Sequence, residues 1–394
     1  MLKEAIKRYT AERLYTIIGW RRQLHADPEL SFREYNTSAF VKSVLSGFGI
    51  EWQEMADTGV VALIKGAHPS EKVVALRADM DALPIKEQNT VDYISRNAGV
   101  MHACGHDVHT ASLLGVAGIL KSMEKEFAGT IKLIFQPGEE CLPGGATLMI
   151  RDGVLKNPAP AVVMGQHVMP KIPCGKVGFR KGKFMASMDE LKLKVKGRGG
   201  HGAQPQDNID PVLIASHILV SLQQLVSRMA DPFMPTVLSF GKFIAEGAIN
   251  VIPDEVYIEG TFRTFDENWR EKAHREMKKI AEAVATGMGG SCEFTINRGY
   301  PLLFNNEALT EQLSCFATEY LGAENVLELD PWMASEDFAY YSQLADTCFY
   351  MVGVRNEDKQ LTSSLHTATF NVDETALLVS TGLMAYLALR KLGN

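Results

Sequence analysis

The order of apolar and amphipathic segments along the chain constrains its fold more than any other feature. Short runs rich in β-branched residues, such as GVVALIK at 59–65 and KVVALRA at 72–78, alternate with longer helical segments. The predicted strands of this kind are 59–65, 72–78, 130–137, 161–168 and 347–354, and the predicted helices are 3–24, 36–47, 107–122, 306–320 and 373–391. Strands that alternate with helices are typical of an α/β domain with a mainly parallel, buried sheet.

The middle of the chain follows a different pattern. From 188 to 195, MDELKLKV alternates polar and apolar residues, which predicts a half-buried strand. The further predicted elements are a helix at 210–228, strands at 236–243 and 255–262, a helix at 267–286 and a strand at 292–297. Their order, βαββαβ, is typical of a ferredoxin-like unit. We therefore predict one α/β domain in two parts, 1–186 and 299–394, interrupted by an inserted α+β domain at 187–298.

Length and charge limit the class of protein. The chain has 394 residues, enough for two or three domains with a sizeable core. Lys and Arg number 40 and Asp and Glu number 47, so the formal net charge of −7 argues against a nucleic-acid partner. The charged N-terminal segment lacks the apolar core of a secretory signal, and no apolar run approaches the roughly 18 residues that span a bilayer. We therefore predict a cytoplasmic protein without a membrane partner, with its 6 cysteines reduced because they form no CxxC pair.

Side chains that can bind metals or transfer protons cluster where the predicted strands end. Ligand sites in open α/β sheets lie at the carboxyl ends of the strands, so we expect these positions to converge in space. The candidates are Asp79 and Asp81 in RADMDALP, His102, Cys104, His106, Asp107 and His109 in MHACGHDVH, Glu139 and Glu140 in FQPGEE, His167 in GQHV, and His366 in LHTATF.

This combination of side chains predicts a metal centre. A thiolate, imidazoles and carboxylates together suit borderline divalent ions such as zinc, manganese, cobalt or nickel. The candidates are more numerous than the ligands of one tetrahedral ion. Two ions about 3.5–4 Å apart with a shared ligand would need this many, and such a pair of ions can activate a water and polarise a carbonyl. The adjacent Glu139 and Glu140 fit a division of labour in which one carboxylate binds a metal and the other accepts a proton.

Each candidate also has an ordinary structural interpretation. A single strand-end histidine is more often a hydrogen-bonded core or surface residue, and a cysteine in an apolar context is usually a small hydrophobe. Cys104, however, stands between two histidines, and the pair Glu139 and Glu140 follows an apolar strand and a Pro-Gly turn, which favours the metal interpretation. We interpret His109, three residues after His106 on the predicted helix, as a packing or supporting residue, and His25 as a structural or pocket-wall residue.

Several motifs in a fixed order give the chain a family resemblance. It resembles the aminoacylase, hippurate hydrolase and auxin-conjugate hydrolase branch of the carboxypeptidase G metallopeptidase clan, from about residue 20 to the C-terminus. The motifs that carry the resemblance are RRQLHADPELSFRE, RADMDALP, MHACGHDVH, FQPGEE, GQHVMP, GRGGHGAQP, NVIPDEVYIEGTFRTFD and LHTATF. Together they are far more specific than any one of them.

The resemblance implies a role for individual residues of a two-metal amidohydrolase. The matched metal ligands are Cys104, His106, Glu140, His167 and His366, and Glu139 matches the general base. Asp79 matches the acidic residue that acts as catalytic support, a role for which the neighbouring Asp81 stays open. His201, Asn250 and Arg263 match substrate-binding positions, and Arg263 would suit a carboxylate through its bidentate fork. The inserted domain resembles the lid and dimerisation domain of the family, which implies a homodimer or a dimer of dimers.

The implied activity is metal-dependent hydrolysis of the amide bond in N-acyl amino acids, such as N-acetyl or hippurate-like compounds. Cys104 provides a softer central ligand than the Asp of typical peptidases in the clan, which points to aminoacylase-type chemistry. Within the same chemistry, a dipeptidase or short-peptide peptidase and an N-acetyldiaminopimelate deacetylase remain alternatives. From other classes, a non-catalytic metal-binding or ligand-binding protein and a redox protein based on the Cys104 thiol remain to be tested.

Overall fold

The chain forms two compact units, each with its own core. The computed structural model describes residues 2–393. The first unit runs to Phe184 and continues over Phe304–Asp330 and again from Asp337, while the second contains Met185–Leu303 and Pro331–Glu336. Residues 185–186, 299–303 and 331–336, which the predicted boundaries assign to the α/β domain, therefore group with the second unit.

Helices and strands are labelled in order along the whole chain. The helices are α1 (Leu2–Ala26), α2 (Tyr35–Gly47), α3 (His106–Ser122), α4 (Gly145–Arg151), α5 (Pro211–Leu222), α6 (Glu267–Gly287), α7 (Glu307–Leu321), α8 (Ala339–Ser342) and α9 (Ala376–Leu392). The strands are β1 (Trp52–Met55), β2 (Gly59–Lys65), β3 (His68–Asp79), β4 (Ala128–Gln136), β5 (Val162–Pro173), β6 (Val177–Phe179), β7 (Gly182–Met185), β8 (Ser187–Lys196), β9 (Gly200–His201), β10 (Thr236–Ile244), β11 (Val251–Ile252), β12 (Glu255–Thr264), β13 (Ser291–Arg298), β14 (Leu303–Asn305), β15 (Val326–Glu328) and β16 (Asp346–Arg355).

The first unit is built on an eight-stranded sheet with the order β1-β2-β4-β3-β5-β16-β6-β15. Its central pairs β4–β3, β3–β5 and β5–β16 are parallel, as is β6–β15, while β1–β2, β2–β4 and β16–β6 are antiparallel. The central strands are buried almost throughout, which explains why they appear in the sequence as continuous apolar runs. The predicted mainly parallel α/β sheet is confirmed.

Helix α3 lies at the centre of the first unit and is buried along most of its length. Every residue from 106 to 120 is buried, because α3 packs against the strands of the sheet and is also covered by α1 and α9. A helix that is apolar all round, such as LLGVAGIL within α3, is expected in such an enclosed layer. The N-terminus of α3 is therefore held firmly beside the ends of the sheet strands.

The second unit contains a four-stranded antiparallel sheet with the order β10-β12-β8-β13. The chain order β8-α5-β10-β12-α6-β13 is the βαββαβ arrangement predicted from sequence, with α5 and α6 packed together over the sheet. Along β8 buried and half-buried residues alternate strictly, as the pattern MDELKLKV predicts.

Helix α5 differs from the prediction of one helix over 210–228. It begins with the Asp210 side chain accepting hydrogen bonds from the N–H groups of Val212 and Leu213, and ends at Leu222; a π-helical turn follows at Leu225–Met229. The combined stretch Pro211–Met229 is long and apolar enough to cross a membrane by length and composition alone, which is weak support for a membrane span. Its inward side chains, among them Ile214 and Ile218, belong to the core of this unit.

Candidate metal centre

The candidate site lies where strands of the large sheet end beside the N-terminus of α3. Cys104 and His106 flank Gly105, whose φ of +87° is in the left-handed region. A Cβ at Gly105 would lie 2.4 Å from the Cγ2 atom of Val168, so any side chain there would clash with Val168 of β5. The glycine thus lets Cys104 and His106 lie directly against the strand that carries His167.

The Cys104 thiol forms the middle of a compact cluster. Its Sγ lies 3.3 Å from Nε2 of His167 and 3.3 Å from Nε2 of His366. The same His366 nitrogen is 3.2 Å from Oε1 of Glu140, and that oxygen is 4.0 Å from Nε2 of His106. The structure therefore brings together all five residues predicted as metal ligands.

The ligand atoms form two sets that share the Cys104 thiol. One set is Cys104, His106 and His167, and the other is Cys104, Glu140 and His366; within each set the candidate ligand atoms lie within 4.8 Å of one another. Three ligands to each of two ions, with one sulfur common to both, is an arrangement suited to a binuclear site.

Two of the three histidines, His106 and His167, are oriented by hydrogen bonds to the protein, which leaves their other nitrogens facing the cluster. Nδ1 of His106 donates to the Asp81 backbone oxygen at 2.9 Å and lies 3.1 Å from the Asp81 carboxylate. Nδ1 of His167 donates to the Val168 backbone oxygen at 2.7 Å. Metal-binding histidines are typically held in this way, with the second nitrogen fixing the ring and its tautomer.

Among the described residues, two buried atoms of the cluster form no hydrogen bond of suitable geometry, although one of them has the His366 nitrogen 3.2 Å away. They are Nε2 of His106 and Oε1 of Glu140, from the two different ligand sets. A buried polar atom with no partner is costly, and a cation at this position would satisfy both. The donor set and its unsatisfied atoms thus fit the divalent ions predicted from sequence.

Without a cation, the protons of the cluster are held in place by burial and by neighbouring charges. Burial, together with the carboxylates of Glu140 and Glu139, raises the pKa of the Cys104 thiol well above its ordinary value. Burial opposes the charged form of His106, but the charge of Asp79 and the bond to Asp81 outweigh it and raise the pKa of His106 to about 10. Both groups therefore keep their protons until a cation takes the place of those protons.

Asp79 lies behind the ligands and is tied to three other residues. Its carboxylate accepts hydrogen bonds from Arg77 at 2.5 Å and from Nδ1 of His109 at 2.6 Å, and its backbone oxygen accepts the Thr110 hydroxyl at 2.8 Å. Burial disfavours the charged carboxylate, yet the charges of His106 and Arg77 hold the pKa of Asp79 well below its usual range. Asp79 is therefore an ionised carboxylate that orients its neighbours.

His109 has both ring nitrogens engaged by the protein. Its Nε2 accepts the backbone N–H of Val168 at 2.9 Å, so Nδ1 carries the proton that is donated to Asp79. Although His109 lies close enough to Asp79 and His106 to form a ligand set by distance alone, it has no free lone pair for a metal. This agrees with its interpretation as a supporting residue.

Glu139 is buried next to residues that the sequence pattern did not indicate. The backbone N–H of Asp337 points to Oε1 of Glu139 at 3.4 Å. The Asp337 carboxylate accepts hydrogen bonds from Arg77, Gln136 and the N–H of Ala146 at 2.7–2.9 Å. Asp337 lies in a loop and Arg77 inside an apolar strand, so neither matches the strand-end pattern used to find the other candidates.

His25 contributes to a buried polar network rather than to the cluster. Its Nδ1 lies 2.8 Å from the Asp107 carboxylate and its Nε2 lies 3.1 Å from Glu87. Asp107 also accepts a hydrogen bond from Arg21 at 2.7 Å. These contacts join α1 to the residue that follows His106, in keeping with the structural role predicted for His25.

The three predicted substrate-binding residues lie in the second unit. His201 on β9 and Asn250 are exposed neighbours, since the N–H of Gly202 donates to the Asn250 backbone oxygen at 2.8 Å. Arg263 on β12 is half-buried and donates to the Met333 backbone oxygen at 3.0 Å.

Comparisons with known proteins identify what this geometry resembles. Residues 75–390 match the profile of peptidase family M20/M25/M40. The chain is 45% identical over 306 residues to an N-acyl-L-amino acid amidohydrolase of Geobacillus stearothermophilus, covering 77% of this chain and 82% of the relative. It is 40% identical over 385 residues to the IAA-amino acid hydrolase ILR1-like 4 of Arabidopsis thaliana, covering 95% and 86%.

A solved structure supports the fold over the whole length. The YXEP protein of Bacillus subtilis, described as a dinuclear metal binding peptidase from the M20 family, superimposes with a TM-score of 0.83 and 34% identity. The similarity covers 98% of this chain and 99% of that one.

Proposed function

The chain belongs to peptidase family M20/M25/M40 and is a metal-dependent amide hydrolase, and from this premise we propose that its substrates are N-acyl amino acids. The products would be a carboxylate and a free amino acid. The observation that carries the proposal is the pairing of two ligand sets around the Cys104 thiol with a buried carboxylate, Glu139, that belongs to neither of them.

We propose that Cys104, His106 and His167 hold one ion and that Cys104, Glu140 and His366 hold the other. Zinc, manganese, cobalt and nickel all suit a site that combines a thiolate, imidazoles and a carboxylate. When bound, the ions supply Lewis-acid activation of a water and of the substrate carbonyl.

Side chains of the protein would then transfer the proton and bind the charged groups of the substrate. Glu139 accepts a proton from the attacking water and returns it to the nitrogen of the leaving amino acid. His201 donates a hydrogen bond to the oxygen that becomes negative as the carbonyl is attacked. Arg263 and Asn250 bind the free carboxylate of the amino acid, Arg263 through its guanidinium fork.

We propose that the second unit acts as a lid and dimerisation domain. Apolar side chains of α5 face outward, with Leu213 50% and Val220 74% exposed. Strand β10 forms an edge of the four-stranded sheet, so its outer main-chain groups can pair with a second copy. A homodimer, or a dimer of dimers, would cover both features, and sedimentation velocity would reveal its stoichiometry.

The replacement Glu139→Gln tests the proposed base directly. The amide cannot accept a proton, so we expect kcat to fall by about 10²–10⁴-fold while both ions stay bound. Metal content is measured on the same samples that are assayed. The exposed acid Glu71 provides a control, and Glu71→Gln should be unaffected. Near-normal turnover in Glu139→Gln would remove Glu139 from this role.

His201→Ala tests the role of the second unit in the reaction. Loss of the oxyanion donor should lower kcat by about 10²–10³-fold with metal content unchanged. Loss of metal from this variant would mean that His201 belongs to the metal centre instead.

A peptidase is the second candidate, because the superimposable YXEP protein is described as a peptidase. Parallel assays with N-acetyl and N-benzoyl amino acids and with dipeptides separate the two activities. A dipeptide carries a charged amine next to the scissile carbonyl, whereas an N-acyl amino acid does not. We expect higher kcat/KM for the acyl substrates, and the reverse order would favour the dipeptidase.

A further inference from the structure

The motif ELSFRE, at residues 29–34, has no assigned task in the proposed function, yet it packs against the site. Leu30 forms a β-bridge with Ala82, and the N–H of Ala82 donates to the Glu29 backbone oxygen at 2.8 Å. The motif therefore runs beside the segment that follows β3 and contains Asp81.

Glu34, the last residue of this motif, is fully buried and accepts three hydrogen bonds. Its Oε1 accepts the N–H groups of Phe32 and Gly138, both at 2.8 Å, and its Oε2 accepts the Thr58 hydroxyl at 2.7 Å. Gly138 immediately precedes Glu139. One carboxylate thus holds the main chain of the turn that presents the proposed base.

Phe32 of this motif packs tightly against Gly138 of the turn that precedes Glu139, and both residues have a left-handed backbone. Gly138 has a φ of +57°, and a Cβ on it would lie 2.2 Å from a ring carbon of Phe32. Phe32 itself has a φ of +63°, a left-handed conformation that bulky residues rarely adopt. Such a conformation persists only where surrounding contacts enforce it, and here Glu34 binds the Phe32 N–H directly.

A second connection reaches the other side of Glu139. The Ser31 hydroxyl donates to Oδ2 of Asp81 at 2.6 Å, and the same oxygen accepts the N–H of Glu140 at 2.9 Å. The motif therefore fixes the main chain on both sides of Glu139, directly at Gly138 and through Asp81 at Glu140.

We propose that Glu34 is a positioning residue that holds the turn 137–140 so that Glu139 is presented as the proton acceptor while Glu140 points to the other proposed metal ligands. The proposal rests on the roles assigned to Glu139 and Glu140 under the proposed function. Adjacent residues can serve different tasks only if the turn between them is rigid, since a displacement of about 1 Å can cost catalysis about 100-fold. Burial and the nearby charge of Asp81 raise the pKa of Glu34 to about 7, as expected for a carboxylate enclosed by the protein.

The test compares Glu34→Ala with Glu29→Ala. Glu29 is a matched control because its carboxylate also accepts two N–H groups and one hydroxyl, from Asn36 and Thr37, but none of these lies in the turn 137–140. With metal at saturation, we expect Glu34→Ala to lower kcat by about 10–100-fold with KM changed less than about threefold. Glu29→Ala should keep kcat within about threefold of the parent.

A conservative replacement separates positioning from general damage. In Glu34→Gln the side-chain oxygen can still accept the N–H groups of Phe32 and Gly138, while the amide nitrogen can donate to Thr58. We therefore expect Glu34→Gln to retain kcat within about threefold. A loss as large as that of Glu34→Ala would overturn the proposal.

Hydrogen exchange of the metal-free protein gives a readout that does not depend on the reaction. The amides of residues 138–141 should exchange faster in Glu34→Ala than in Glu29→Ala or Glu34→Gln. Equal exchange in Glu34→Ala and Glu29→Ala, or faster exchange with kcat intact, would overturn the proposal. Failure of the proposed base appears separately, as normal turnover in Glu139→Gln. If Glu34→Ala does not fold, Glu34→Asp, whose shorter side chain retreats from Gly138, is held to the same criteria.

Discussion

Asp79 and His109 are joined by a hydrogen bond of 2.6 Å from Nδ1 to Oδ1, and the other nitrogen of His109 accepts the N–H of Val168 at 2.9 Å. The strand position that follows His167 is thereby connected through one imidazole to the end of β3. Asp79 thus reaches the main chain beside the proposed ligand His167 through a second residue, and by this route a carboxylate outside both ligand sets would affect metal binding.

We expect Asp79→Asn to weaken metal binding and turnover together. The amide group cannot accept hydrogen bonds from both Arg77 and His109 through two oxygens, so the His109 ring loses its fixed orientation. Changes to such supporting residues typically cost about 10–100-fold in metal affinity or activity. Competition with a chromophoric chelator measures the affinity. The exposed Asp92→Asn serves as control, and an unchanged affinity in Asp79→Asn would contradict the assigned role.

The number of ions that a variant retains distinguishes a ligand shared by two ions from a ligand of one ion. Because Cys104 belongs to both ligand sets, Cys104→Ala should lose both ions, whereas His366→Ala should lose one and keep the other. The exposed His68→Ala should keep both. Elemental analysis after gel filtration counts the ions. Equal losses in Cys104→Ala and His366→Ala would show that the thiol is not shared.

Metal binding should release protons at neutral pH. The pKa of the Cys104 thiol lies well above its usual value and that of His106 is about 10, so both groups carry their protons at pH 7 in the metal-free protein. Both protons must leave before the sulfur and the nitrogen bind a cation, so affinity should rise with pH by up to about 100-fold per unit. Calorimetric titration with zinc in buffers of different ionisation enthalpy counts the protons, and a count of zero at pH 7 would refute this assignment.

The second unit should depend on one buried ion pair for its stability. Arg270 donates to Asp189 at 2.6 Å with both side chains fully buried, and Asp189 also lies 2.6 Å from Nε2 of His274. Arg270→Met leaves the Asp189 charge without its main partner, which should lower the free energy of unfolding by about 3–5 kcal/mol.

Arg298→Met provides the matched control for that change. Arg298 pairs with Glu267 at 2.9 Å but is 52% exposed, so its loss should cost about 1 kcal/mol or less. Urea denaturation of both variants gives the comparison. Equal losses in the two variants would mean that the buried pair is not a main support of this unit.

The parts of the fold that the sequence predicts best are those with continuous apolar runs. Strand β2 has the predicted bounds, 59–65, because a strand buried on both faces has no polar interruption. Strand β1, at Trp52–Met55, was missed because it is an exposed edge strand without an apolar run. Strands β6 and β15 have only three residues each, too few to show a pattern, and they exist because neighbouring strands pair with them.

In the candidate site, too, residues with a local sequence pattern could be predicted, and residues that act through contacts distant in sequence could not. The proposed ligands could be found because their chemistry is unusual and they lie at strand ends, where topology brings them together. Asp337 and Glu34 could not, because they act on the main chain of Ala146 and Gly138, far away in sequence. A hydrogen bond to a backbone group that is distant in sequence produces no recognisable pattern in the residues around the side chain.

The place of β16 in the large sheet has a consequence for synthesis of the chain. This strand lies between β5 and β6 in the sheet. In sequence, however, the second unit and α7 separate it from both of them. While the ribosome is still adding these residues, the main-chain groups of β5 that pair with Thr347–Val352 have no partner. The segment Met185–Leu303, whose four-stranded sheet pairs entirely within the segment, emerges before β16 and can begin to fold earlier. Until β16 leaves the exit tunnel, the nascent chain therefore carries an unpaired, apolar edge at β5, the kind of surface that chaperones shield.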